Sequence, residues 1–239
     1  MRTIKKWFSF SENGNYKGSE PYFYTISEKP WKILLENNYL IILKELELLV
    51  QRQNKNIVPY FNQTLASSPT AWTVFPLLFW GNSYKENCLQ AKETVKIINQ
   101  ITGVISCGFS ILKPNTTIKP HDGDSNVMYR CHLTLRSNGT INEIGMRVGT
   151  EMVTWQNGKL FAFCDAYNHE VWNNTNEERW ILIIDILREE FIDEKIKICK
   201  LVNATLWWQL KFQKNYFFKH LPKWSRRWLM QITSVFMKA

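Results

Sequence analysis

The spacing of apolar residues changes after Gly103, and this change limits the folds that the chain can adopt. From Val127 to Arg136, apolar side chains alternate with a second series that includes Arg130 and His132. An alternation of period two is typical of a β-strand, in which successive side chains point to opposite faces. We therefore expect a strand here that projects Arg130 and His132 to the same side.

Helical spacing precedes this region. Residues 31–53 predict one or two helices, because Ile42, Leu46 and Leu49 recur on one face. A second helical repeat occupies residues 88–98, and Gly103 is expected where that helix ends. Turn signals separate the further predicted strands, which lie at residues 104–112, 144–148, 160–164 and 180–187.

Helices followed by short, closely spaced strands predict an α+β fold. Its core would be a jelly roll or double-stranded β-helix at about residues 104–187, flanked by N-terminal helices and followed by a helical tail. The 239 residues suffice for one such domain. We predict that this domain covers residues 1–194 and that residues 195–239 form a C-terminal extension.

The extension of residues 195–239 carries the excess positive charge of the chain. It contains ten Lys or Arg residues and no Asp or Glu, whereas residues 1–194 contain 20 basic and 21 acidic residues. Nine aromatic residues are interleaved with its cations. This composition fits helices packed on the core, and it also fits docking to an anionic membrane surface. Nucleic-acid binding ranks below both, because no recognised nucleic-acid motif accompanies the segment.

Other classes of protein are disfavoured. The sequence has no run of about 18 apolar residues, which a membrane-spanning helix would need. The N-terminus has no apolar stretch of the kind that a secretory signal contains. Five cysteines without a C-x-x-C pair indicate a reducing compartment. We expect a cytoplasmic protein, or one held at the inner face of a membrane by its basic extension.

The candidate site residues are histidines in the strand region. Three of the four histidines, namely His121, His132 and His169, lie there. His121 stands between Pro120 and Gly123, where a strand is expected to open into a loop, and this placement suits a metal ligand. A histidine on a strand is usually structural, so the hypothesis depends on the neighbouring residues.

Arg179 begins a strongly apolar strand ten residues after His169. A buried arginine requires an anionic partner, and a carboxylate matches its guanidinium best. Alternatively, Arg179 lies at the rim and pairs with Asp185 or Glu178. Two imidazoles near an arginine-bound carboxylate favour a non-heme Fe(II) oxygenase. A zinc hydrolase is the competing hypothesis, although Glu170 would point away from His169 on a strand.

Linked segments of this sequence resemble the aspartyl/asparaginyl β-hydroxylase family. The resemblance covers roughly residues 70–187, in order and with the intervals kept. Trp155 and Gly158 match the family pattern as well. The segments are Trp72 to Pro76, Ser110 to Pro114, Ile118 to Gly123, Arg130 to Leu133, Phe163 to Asp165, and His169 to Asn173 with Arg179 after them.

The resemblance implies a double-stranded β-helix dioxygenase that uses Fe(II), 2-oxoglutarate and O2. It implies that His121 and His169 are the catalytic metal ligands. It also implies that Arg179 and His132 bind 2-oxoglutarate with help from Ser110, and that Arg130 faces the substrate.

The family resemblance leaves the substrate open. A peptide Asp or Asn side chain, or a related carboxylate, is the first expectation, and an acyl chain of the lipid A type at a membrane is the alternative. Gly123 stands where most such oxygenases have a third, carboxylate ligand, so a chloride-binding halogenase also fits. Asp122 and Asp124 flank this gap and are candidate ligands. A catalytically inert, membrane-binding β-helix is the remaining hypothesis.

Overall fold

The computed structural model describes residues 5–9, 15–212 and 221–238. Residues 31–53 form two helices, α1 (Pro30–Asn37) and α2 (Tyr39–Gln51). The second helical repeat forms two short ones, α3 (Lys85–Cys88) and α4 (Lys92–Ile98). Gly103 does not end α4, as the sequence had suggested, because that helix stops at Ile98. Gly103 instead directly precedes Val104, the first residue of the next strand, and it has a φ of 87°.

The described residues also form eleven strands. These are β1 (Val58–Pro59), β2 (Trp72–Phe79), β3 (Asn82–Ser83), β4 (Val104–Leu112), β5 (Thr116–His121), β6 (Met128–Arg136), β7 (Ile144–Val148), β8 (Glu151–Val153), β9 (Leu160–Phe163), β10 (His169–Asn173) and β11 (Arg179–Leu187). The four strands predicted after Gly103 correspond to β4, β7, β9 and β11, and the alternating segment is β6.

The strands form two antiparallel sheets. The larger has the order β1-β2-β4-β11-β6-β9, with β3 paired to β2, and the smaller has the order β5-β10-β7-β8. Buried side chains of both sheets pack together, among them Ile181 of the larger sheet and Met146 and Val171 of the smaller. The fold is therefore α+β with a double-stranded β-helix core, as the sequence predicted.

The alternation along β6 and β11 places two environments on the two faces of the larger sheet. Leu133 and Leu182 point to one face, where they pack against Ile42 and Leu46 of α2. Burial of such aliphatic side chains stabilises the fold by about 1.5–3 kcal/mol each. The opposite face looks toward the smaller sheet and carries Arg130, His132 and Arg179.

The chain continues from β11 through a 3-10 helix (Glu189–Glu194) into α5 (Lys195–Phe212), and α6 (Lys223–Val235) follows. The buried residues Ile198 and Val202 of α5 pack against Leu187 and Phe191. The first half of α5 is thus joined to the core. Among the helices that the structure describes, none combines the length and apolar character that crossing a bilayer requires.

Candidate active site

His121 and His169 come together at the end of the smaller sheet. They are direct partners in the antiparallel pairing of β5 with β10. Cross-strand partners project to the same face, and the centroids of the two imidazole rings are 4.2 Å apart. Two histidines that are distant in sequence therefore face one small volume.

Backbone carbonyls determine which nitrogen of each ring carries the proton. Nδ1 of His121 lies 2.8 Å from the carbonyl oxygen of Lys119, and Nδ1 of His169 lies 2.9 Å from that of Tyr167. A carbonyl only accepts hydrogen bonds, so each Nδ1 donates and each Nε2 keeps a free lone pair. Burial, reinforced by the neighbouring His121, lowers the pKa of His169 to about 3. His169 is thus neutral and able to bind a metal near pH 7.

Arg179 lies on the facing sheet and is almost completely buried, with 1% of its surface exposed. Its Nε and Nη1 have no hydrogen-bond partner in the described structure. Its guanidinium carbon is 4.6 Å from the centroid of the Trp155 ring, and burial lowers the pKa of Arg179 to about 9. A buried, unpaired guanidinium is costly unless a ligand supplies an anion.

The two rim partners considered for Arg179 are engaged elsewhere. Glu178 accepts a hydrogen bond from the indole of Trp180, and Asp185 pairs with Arg130. The described structure thus contains no ion pair for Arg179. This arrangement favours a ligand carboxylate as its partner.

His132 lies on the same face as Arg179, whereas Ser110 does not reach the cavity directly. Nδ1 of the buried His132 has no hydrogen-bond partner in the described structure. Burial, followed by the charge of Arg179, holds the pKa of His132 well below its usual range. The Ser110 hydroxyl accepts a hydrogen bond of 2.9 Å from the indole nitrogen of Trp72. Trp72 lines the cavity, so Ser110 contacts the cavity wall through Trp72.

Arg130 is held by carboxylates of the protein itself. Its Nε and Nη2 donate to the two oxygens of Asp185 at 2.8 and 2.9 Å, and its Nη1 donates to Asp165 at 2.5 Å. A third carboxylate oxygen, Oδ2 of Asp124, lies 4.0 Å from Nη2 of Arg130. Asp165 and Asp185 are buried, so they offset the charge of Arg130 strongly. A contact between Arg130 and substrate stays a prediction.

The loop after β5 wraps around Asp165. The backbone nitrogens of Gly123 and Asp124 donate to the carbonyl and carboxylate oxygens of Asp165 at 3.0 and 2.6 Å. A Cβ atom on Gly123 would lie 2.2 Å from that carboxyl group. Asp122 accepts a hydrogen bond of 3.0 Å from the Asn168 side chain. The carboxylate beside the histidines is thus Asp165, whose Oδ1 is 3.9 Å from Nε2 of His169.

One cavity of about 970 Å³ joins these groups. It is lined by His121, His169, His132, Arg179 and Arg130. The same cavity is lined by apolar side chains of β2, α5 and α6, among them Val74, Leu78, Leu206, Leu229 and Met230. Five of the six predicted site residues therefore line one cavity that also has apolar walls, and Ser110 is the exception.

Sequence reasoning did not identify Asp165 as part of this cluster. Asp165 lies four residues before His169, in a turn that has no periodic pattern. The sequence therefore placed it within a family-like segment but gave it no role. The pairing of Asp185 with Arg130 was missed as well. Those residues are direct partners on β11 and β6, and alternation alone gives no register between two strands.

The residues that the structure describes supply no third protein ligand beside the two histidines. Within the described part of the chain, no group of three His, Cys, Asp or Glu residues is arranged to hold a metal ion. Glu170 pairs with Arg147 at 2.5 Å, so it does not supply the carboxylate that a zinc hydrolase would require.

Known proteins are similar to this chain over most of its length. Residues 36–189 match the family model for aspartyl/asparaginyl β-hydroxylase. The ornithine lipid ester-linked acyl 2-hydroxylase of Rhizobium tropici is 31% identical over 177 residues, which cover 72% of this chain and 62% of that protein. The aspartyl/asparaginyl β-hydroxylase of Mus musculus is 27% identical over 187 residues, covering 71% of this chain and 25% of that protein.

Among solved structures, a Pseudomonas putida prolyl-4-hydroxylase is similar, with 16% identity and a TM-score of 0.41 over 63% of this chain and 88% of that one. The chain thus spans less than two thirds of the length of the two curated relatives. The family model, however, covers more than half of the chain, including both histidine segments and Arg179. The chain belongs to the aspartyl/asparaginyl β-hydroxylase family.

Proposed function

We propose that this chain is a hydroxylase that depends on Fe(II), 2-oxoglutarate and O2. One observation carries the proposal. Two imidazoles, each with a free Nε2 lone pair, face the same cavity as a buried guanidinium whose Nε and Nη1 lack a partner. The two imidazoles are suited to a divalent metal, and the guanidinium is suited to a carboxylate.

The residues present fit both groups. His121 and His169 would hold the iron, since imidazole is a suitable ligand for it. Arg179 would pair with the carboxylate of 2-oxoglutarate that is remote from the oxo group, with His132 beside it. Trp155, stacked on the guanidinium, would keep its plane in place. Iron together with 2-oxoglutarate and O2 supplies the oxidising power that replaces a C–H bond with C–OH, while 2-oxoglutarate leaves as succinate and CO2.

This chain's own residues would bind, orient and exclude water. Val171, Ile183 and Phe163 give the cavity apolar walls, and the low dielectric of such surroundings would strengthen the interaction between Arg179 and a bound carboxylate. Because His132 is held neutral at pH 7, it adds no second positive charge that would compete with Arg179.

The geometry favours an alkyl chain over an anionic side chain as the reacting group. Arg130 and Arg179 are the cavity-lining arginines of the described structure. Arg130 is occupied by Asp165 and Asp185, and Arg179 is assigned to 2-oxoglutarate. A substrate carboxylate would find no free guanidinium. We therefore favour an acyl substrate, as the name of the Rhizobium relative describes for that protein, over an Asp side chain.

The position of Asp165 favours hydroxylation over halogenation. Gly123 leaves no room for a side chain, because the Asp165 carboxyl group fills the adjacent space. A buried carboxylate 3.9 Å from His169 Nε2 would repel a chloride ion bound beside that histidine.

Succinate formation tests the proposal. The full chain would be incubated with Fe(II), ascorbate and 2-oxoglutarate, together with either an Asp-containing peptide or a dispersed acyl lipid. We expect succinate with wild type and with Lys119→Ala, an exposed change on the same strand, and none with His121→Ala. Mass spectrometry would show one added oxygen atom on the lipid and none on the peptide. Equal activity of wild type and His121→Ala would reject the metal assignment. A wild-type protein that forms no succinate would reject the proposed reaction.

A further inference from the structure

The two C-terminal helices are attached to each other and to the core. The Trp208 indole nitrogen of α5 donates to the Thr233 hydroxyl of α6 at 2.9 Å. The Asn203 side chain of α5 donates to the carbonyl oxygens of Trp80, in the core, and of Lys238, beyond α6, at 2.9 and 3.2 Å. Helix α6 therefore has a defined place over the cavity.

Helix α6 has apolar residues on two sides. Leu229 and Met230 line the cavity. The exposed apolar stripe consists of Trp228, Ile232, Val235 and Phe236, whose side chains are 59%, 42%, 70% and 80% exposed. Spacings of four, three and one residues place these four on one side of the helix. Such a continuous exposed stripe marks an interaction surface more than a solvated face.

The charge of the segment that contains this stripe selects its partner. Residues 195–239 contain ten Lys or Arg residues and no Asp or Glu. A second copy of this segment would be repelled, whereas an anionic lipid surface attracts its cations. Nucleic acid is also anionic, but the aliphatic Ile232 and Val235 offer bases no stacking surface. Trp and Phe beside cations are characteristic of helices that lie in the bilayer interface.

We propose that α6 docks flat on an anionic lipid bilayer through the exposed apolar stripe, and that the cavity beneath it receives a lipid acyl chain from that bilayer. The helix has the required position, because one side contacts the proposed lipid surface and the other lines the chamber that holds His121 and His169. The second half of this proposal rests on the proposed function, whereas the docking itself does not.

Vesicle sedimentation of the full chain tests the docking. We expect binding to vesicles that contain phosphatidylglycerol, weaker binding at high salt, and little binding to pure phosphatidylcholine. The double variant Ile232→Glu/Val235→Glu is expected to bind roughly 10-fold more weakly, because each carboxylate must enter an apolar interface. The matched control is Leu40→Glu/Ile41→Glu on α2, where the side chains are 62% and 46% exposed.

The control pair should bind as wild type does, and circular dichroism would verify that each variant is folded. A folded wild type that ignores anionic vesicles would overturn the docking proposal. Equal loss in the control pair, or binding to single-stranded DNA with no binding to vesicles, would overturn it too. Tryptophan fluorescence offers a second readout, since Trp228 should shift to shorter wavelength on vesicles and a Trp228→Phe variant should lose most of that shift.

Failure of the docking and failure of the proposed function give different results. The His121→Ala variant should bind vesicles as wild type does, since it leaves the stripe intact. Vesicle binding without succinate formation would reject the enzyme and retain the docking surface. Hydroxylation of a dispersed lipid without vesicle binding would reject the docking surface and retain the enzyme. For acyl entry, Met230→Trp should lower turnover more for long-chain than for short-chain lipids, and equal effects on both would reject the route beneath α6.

Discussion

His121 and His169 occupy opposite positions on antiparallel strands, with ring centroids 4.2 Å apart. Each ring is oriented by the carbonyl of the residue two places earlier. Hydrogen bonds of this kind select the tautomer of a metal-binding histidine and hold its ring in place. The backbone thus orients both rings in the way that a metal site needs.

Metal binding should therefore stabilise the protein only when both histidines are present. A ligand that binds the folded state alone raises the melting temperature by mass action. We expect Mn(II), which avoids oxidation during the measurement, to raise the melting temperature of wild type and of Lys119→Ala but not of His121→Ala or His169→Ala. A shift that persists in both histidine variants would place the metal elsewhere.

Arg179→Met should separate ligand binding from stability. Removing an unpaired buried guanidinium is expected to stabilise the ligand-free protein by at least about 1 kcal/mol. The same change should abolish the thermal shift that 2-oxoglutarate gives in wild type. Arg136→Met is the matched control, because Arg136 stacks on Trp180 and is partly exposed, and it should keep the shift. A destabilised Arg179→Met that still responds to 2-oxoglutarate would contradict the assignment.

The ion pair of Arg130 with Asp185 should show strong coupling in urea unfolding. Arg130→Met leaves the buried Asp185 and Asp165 without a cation and is expected to cost about 3–5 kcal/mol, whereas Asp185→Asn should cost less, because Arg130 keeps its pair with Asp165. Both changes remove the same ion pair, so the double variant Arg130→Met/Asp185→Asn should lose less than the sum of the single changes. The partly exposed pair of Arg147 with Glu170, treated in the same way, should couple by no more than about 1 kcal/mol. Additive effects at Arg130 and Asp185 would contradict the pairing.

Gly123→Ala should be more damaging than Gly103→Ala. At Gly123 the new Cβ would lie 2.2 Å from the carboxyl and carbonyl groups of Asp165, whereas at Gly103 the nearest atom is 3.5 Å away. Overpacking of this kind costs about 1–3 kcal/mol. Gly103→Ala has only the strain of its positive φ, so its free energy of unfolding should fall less. The reverse order in urea unfolding would show that Asp165 does not fill the space beside Gly123.

Acid should destabilise the ligand-free protein through His132. Burial, followed by the charge of Arg179, lowers the pKa of His132 in the folded state. In the unfolded chain the pKa of a histidine is about 6.5. Below that pH the unfolded state binds one more proton, so stability falls as pH falls, by up to about 1.4 kcal/mol per pH unit. His132→Gln should make the free energy of unfolding depend less steeply on pH, and Lys119→Ala should leave that dependence unchanged. Equal slopes between about pH 7 and pH 5 would contradict a neutral, buried His132.

Two different sequence signals predicted the central strands of the larger sheet. The period-two alternation around Leu133 predicted β6, and a strongly apolar run after Arg179 predicted β11. β2 was missed, since its apolar residues occupy both faces and Pro76 interrupts the pattern at a register shift. β10 was missed because five residues around His169 are too few and too polar to show a period.

The sequence by itself determined the kind of site. Alternation along one strand puts Arg130 and His132 on one face, and the family-like segments single out His121, His169 and Arg179. These are local properties, which follow from the geometry of a strand and from residue type.

Only the tertiary structure decided which arginine is free to bind a ligand. Arg130 is a direct partner of Asp185 in the register of β6 with β11, and the turn after β9 brings in Asp165, so its charge is offset. Arg179, at the first residue of β11, has no carboxylate opposite it. Register is set by the packing of whole strands against a shared core. Two arginines that look equivalent in the sequence therefore differ in the described structure: Arg130 is paired with carboxylates of the protein, and Arg179 is not.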